Sequence, residues 1–69
     1  MKRITQTLQY DDDQRYELTA NLSDWHKLHP FKSGVDFEFE FLWAEMEDQD
    51  CLAFILKHPQ WAYRFKDVA

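Results

Sequence analysis

Asp24, His26 and His29 come nearest in this chain to a metal-binding motif. On one helical turn the two imidazoles, three residues apart, would share a face, and the carboxylate could add an oxygen ligand. A closed zinc site needs four ligands, so Cys51 or His58 would have to be brought in by the fold. The spacing is incomplete. The two histidines read as surface residues beside a helix stop at Pro30, and no metal site is assigned.

Cys51 and His58 pose a second question, that of a thiolate nucleophile with an imidazole base. Reactive thiols sit in electropositive, partly exposed settings that lower their pKa. Asp50 and the apolar run Cys51–Leu56 act in the opposite direction, so Cys51 reads as an inert, half-buried thiol. The sequence holds no P-loop, no dinucleotide-binding glycine pattern and no G-x-S-x-G elbow. Acid–base work by paired carboxylates needs a concave, water-excluding pocket, and 69 residues offer little material to build one. A non-enzymatic protein is expected, with no catalytic residues and no cofactor.

The most unusual feature is acidic. Asp36, Glu38, Glu40, Glu45, Glu47, Asp48 and Asp50 lie between Ser33 and Leu56 with no Lys or Arg among them. In a strand, Asp36, Glu38 and Glu40 would point to one side about 6.6–6.8 Å apart. Such a row has roughly half the linear charge density of one DNA strand. It would suit a basic partner protein, or it would serve as a solvated face that discourages edge aggregation. The aromatic residues Phe37, Phe39 and Phe41 interleave with acids rather than with Lys and Arg, so they read as core and not as base-stacking platforms.

Composition sets the frame. The net charge of −5 disfavours direct binding to nucleic acid or to anionic membranes and favours basic partners. A single cysteine points to a reducing compartment, and Met1–Tyr10 forms no apolar core of a signal peptide, so a cytoplasmic location is expected. One domain is expected from the length. Six Phe, three Trp and three Tyr supply the apolar area that so short a chain otherwise lacks.

Period-2 patterning dominates the expected elements. Lys2–Tyr10 reads as a strand, the aspartates 11–13 as a turn, and Gln14–Leu22 as the returning strand. Ser23 reads as the N-cap of a short helical turn over Asp24–His29, and Lys32-Ser33-Gly34 as a loop. Val35–Trp43 gives the clearest alternation and reads as one strand. Cys51–His58 reads as its hairpin partner, with Glu40 opposite Lys57, because six consecutive apolar residues leave a helix no polar face. Trp61–Val68 closes the sheet. The fold expected is therefore mainly β: a small antiparallel sheet or partly open barrel of about five strands with one short helical turn. The alternative is α+β, with residues 48–58 as a helix packed on the sheet.

The function expected is that of a small acidic interaction protein that binds a basic surface of a partner, in the manner of an inhibitor, an antitoxin-like partner or a nucleic-acid decoy. The seven acids are the expected contact residues. A structural subunit or a ligand-binding β-barrel module is the alternative. The hairpin would be apolar on both faces, which predicts a homodimer or a partner groove over Leu42 and Ile55.

Overall fold

Asp11 starts the first helix by accepting the N–H of Gln14 on its side chain at 2.7 Å, with Asp12 and Asp13 favourably placed in the positive first turn. This computed structural model describes residues 1–6, 11–37 and 40–68. Strand β1 (Lys2–Thr5) comes first, then helix α1 (Asp12–Leu28). Leu18, Leu22 and Trp25 are buried along one stripe of α1, at the i, i+4, i+7 spacing of a core-facing helix. His29 ends it, donating its N–H to the Trp25 carbonyl at 2.8 Å just before Pro30.

Strand β2 (Lys32–Val35) and strand β3 (Phe41–Met46) form an antiparallel hairpin. Asp36 holds its base twice: its N–H donates to the Glu40 carbonyl at 3.0 Å, and its carboxylate accepts the Glu40 N–H at 2.9 Å. Gly34 pairs with Trp43 but Val35 pairs with Phe41, so Leu42 is the extra residue of a bulge. The bulge turns Phe41 toward the core, where its ring lies 5.7 Å from that of Phe31. Helix α2 (Asp48–Lys57), a 3₁₀ turn over Pro59–Arg64 and strand β4 (Lys66–Asp67) complete the chain.

The sheet order is β2-β3-β1-β4, with every neighbouring pair antiparallel. Each helix thus links two strands that flank a third, which is a double split β-α-β plan. Both helices contribute to one core. Ile4, Ala44 and Met46 of the sheet meet Leu18, Leu22 and Trp25 of α1 and Cys51 and Phe54 of α2. Trp61 and Phe65 close the end. Phe54 sits at the centre, its ring T-shaped to those of Trp25 at 5.7 Å and Phe65 at 5.8 Å.

The fold is α+β, which corrects the expected mainly-β sheet or barrel. Seven segments differ, the first being the aspartates 11–13, expected as a turn but forming the N-cap and first turn of α1. Gln14–Leu22 lies within α1, because Leu18 and Leu22 satisfy a helical stripe as well as an alternation. Asp24–His29 is the end of that helix rather than a separate turn. Lys32-Ser33-Gly34 is strand, and the strand expected over Val35–Trp43 is broken by the turn that Asp36 closes. Cys51–His58 belongs to α2, the alternative reading, with Glu47 at its N-cap. The missing polar face did not prevent the helix: Leu52 and Leu56 are left 60% and 77% exposed. The Glu40–Lys57 pairing accordingly does not form. Trp61–Val68 is mostly the 3₁₀ turn, with only Lys66–Asp67 as strand. The first strand is present over Lys2–Thr5, and its expected continuation over residues 7–10 lies outside the described residues.

Candidate functional site

A cleft of about 320 Å³ opens where β2 begins, β3 ends and the first turn of α2 starts. Phe31 forms one wall, its ring 4.8 Å from that of His26, which ties the wall to the end of α1. Pro30 and Met1 add apolar surface, and Met46 of β3, almost fully buried in the core, lies beneath. Glu45, Glu47 and Asp50 supply carboxylates and Lys32 the one ammonium group among its lining side chains.

Local structure fixes where those carboxylates stand. Glu45 is half-buried on β3 beside Arg3, with Oε1 at 3.6 Å from Nε. Glu47 occupies the N-cap of α2 with extended backbone, and Asp50 lies in the first helical turn, where negative charge complements the helix dipole. Apolar walls beside carboxylates suit a long cationic side chain, whose methylene stem packs while its charged end meets an acid. The arrangement has no activated nucleophile. It can bind.

The seven acids expected as contacts are therefore not one row. Glu45, Glu47 and Asp50 share the cleft. Asp48 faces the Met1 amino group at 2.9 Å, whose pKa this hydrogen bond raises. Asp36 closes the hairpin turn, and Glu40 is bound 2.5 Å from Arg15 Nη2 on α1. Glu38 lies outside the described residues. The anionic strand face expected from Asp36, Glu38 and Glu40 is not what Asp36 and Glu40 form: they bond to each other across the base of the hairpin, and Glu40 to Arg15. Nor does the hairpin that was to join Leu42 to Ile55: Leu42 is the exposed bulge residue of β3, and Ile55 packs against the core from α2.

The residues weighed for metal and nucleophile chemistry are also dispersed. His26 contacts Phe31 and His29 contacts Trp25, with ring centroids 4.8 and 4.5 Å apart, while Asp24 pairs with Lys27 at 3.8 Å. Among the described residues no three His, Cys, Asp or Glu side chains gather to hold a metal ion. Cys51 is buried, which pushes its thiol pKa up. His58 lies seven residues on in the same helical run, about 10.5 Å along the axis, beyond proton-transfer reach.

Phe31 and Met46 were missed by sequence reasoning: Phe31 walls the cleft, and Met46, almost fully buried, lies beneath it. Phe31 follows the Pro30 helix stop, and Met46 follows the strand alternation; neither carries a pattern that marks a cleft. Among the described residues no helix is long and apolar enough to cross a membrane. Comparison with known proteins shows no match to a family model, and no curated protein or solved structure matches significantly.

Proposed function

We propose that the protein is a non-enzymatic interaction module that binds a basic surface of a partner protein through the cleft at the start of α2. The observation that carries this reading is the grouping of Glu45, Glu47 and Asp50 beside the apolar surface of Phe31, Pro30 and Met1. A partner's Lys or Arg would lay its stem against that surface and its charge among the carboxylates. The net charge of −5 would add steering to the encounter. Inhibition or masking of a basic site on the partner is the physiological use that fits such contacts. Titration of labelled protein with a short oligo-lysine peptide, followed by NMR, tests the reading. Shifts should concentrate at Met46, Glu47 and Asp50; shifts spread evenly over every exposed acid would contradict it.

A subunit of an assembly is the second reading, and the exposed Leu52 and Leu56 favour it. Four residues apart on α2, they form an apolar strip on one helix face. We propose a second copy of the chain as its occupant. Sedimentation should show a dimer that Leu52→Lys with Leu56→Lys converts to monomer, and a wild-type monomer at high micromolar concentration would exclude it.

A further inference from the structure

Among the described residues, both helices pack on one face of the sheet and neither covers the other. Directly paired residues of antiparallel strands point to the same face. Lys32 pairs with Glu45, Glu45 with Arg3, and Arg3 with Lys66, so these four make one row across all four strands. One residue along, Ile4 and Ala44 are buried in the core, which puts the row on the face opposite the helices. The neighbouring row on that face is Gly34, Trp43 and Thr5.

This face is positive in an acidic chain. The row holds one carboxylate, Glu45, matched by Arg3; Lys66, and Lys32 at the rim of the cleft that Glu47 and Asp50 also line, are exposed and make no ion pair among the described residues. At strand spacings of about 4.8 Å the cations extend over roughly 14 Å. Beside them the Arg3 guanidinium lies 4.4 Å from the centroid of the Trp43 ring, making a stacked, flat, cationic unit. The indole of Trp43 lies over Gly34, whose lack of a side chain seats the ring against the sheet, and Thr5 on its other side is small. Asp12, Asp13, Asp48 and Asp50, by contrast, belong to the first turns of the two helices. The chain's net charge averages these regions and does not describe the sheet face.

We infer that the outer face of the sheet binds single-stranded nucleic acid, with phosphates on Lys32 and Lys66 and a base against the Trp43–Arg3 stack. Cations in a row meet a phosphate backbone, and a stacked ring and guanidinium meet any base through its π-face. An acidic peptide would use the same cations but gain nothing from the flat unit, so the nucleic acid is favoured.

Fluorescence anisotropy decides the matter. Labelled oligo-uridine and oligo-thymidine of about ten nucleotides, near the site size of small single-strand binders, are titrated beside a labelled oligo-glutamate peptide. Both oligonucleotides are run at low and high salt, against wild type, Lys32→Glu with Lys66→Glu, and Trp43→Leu, each checked for its fold by circular dichroism. Oligonucleotide binding should weaken as salt rises, fall by about tenfold or more in the double charge reversal, and fall in Trp43→Leu with the salt slope kept. The uridine-to-thymidine ratio identifies RNA or DNA as the preferred strand. Absence of oligonucleotide binding, insensitivity to the charge reversal, or equal affinity for oligo-glutamate would each overturn the inference.

Discussion

Gly34 lies directly under the indole of Trp43: a Cβ built at residue 34 would fall 2.2 Å from Nε1 and 2.8 Å from Cδ1. The contact is steric and comes from cross-strand pairing, since the two residues face each other between β2 and β3. It seats the ring beside Arg3 on the sheet face opposite the helices.

Gly34→Ala should therefore force the indole off its seat and cost about 1–3 kcal/mol, the usual range for overpacking a close contact. Urea unfolding measures the loss, and a red-shifted tryptophan emission should accompany it. Unchanged stability and emission would show that the ring moves aside freely.

Glu40 and Arg15 join the hairpin to α1, with Glu40 only 16% exposed. Such a half-buried pair lies between surface bridges worth under 1 kcal/mol and buried ones that cost several to break. Glu40→Gln and Arg15→Met should each destabilise by about 1–2 kcal/mol, with the double variant losing less than the sum. Strict additivity in the unfolding free energies would mean that the pair contributes nothing. The pairing also places Glu40 in the folding machinery rather than on a docking face.

His58 packs on Phe54 with ring centroids 4.9 Å apart, and burial, followed by the charge of Lys57, lowers its pKa from 6.5. Glu17 and Asp24 pull the other way. The unfolded chain thus binds this proton more readily than the folded chain. His58's contribution to stability is complete above its unfolded pKa of about 6.5 and disappears as pH falls through the lower folded value. Unfolding free energy should drop between about pH 7.5 and 5.5, and His58→Gln should flatten that slope. Parallel slopes in the two proteins would assign the pH dependence to other groups.

The alternation that made this chain look like a β-sheet protein was ambiguous in identifiable places. Leu18 and Leu22 fit period 2 with Tyr16 and Ala20, yet only the helical stripe with Trp25 is buried, and Tyr16 stays 68% exposed. The Phe–Glu alternation from Val35 conceals a turn because Asp36 can satisfy backbone donors with its own carboxylate. Pro30 and Pro59 were reliable, each standing just beyond a helix end. The acidity of residues 45–50 was legible and half of the candidate site with it. Its apolar half was not, since Phe31 and Met46 meet only through the β2–β3 pairing and the bulge that no local pattern announces.

The cleft carries the proposed function, and the most direct test compares binding with and without its charge. Glu47→Gln with Asp50→Asn removes two of its three carboxylates at positions that make no ion pair among the described residues. Asp12→Asn with Asp13→Asn removes the same charge from the exposed start of α1 and serves as the control. Stopped-flow association with an oligo-lysine peptide should slow, and its affinity should fall by about tenfold or more, in the cleft variant alone. Equal losses in the two variants would show that net charge, not the cleft, governs binding, and would contradict the proposed function.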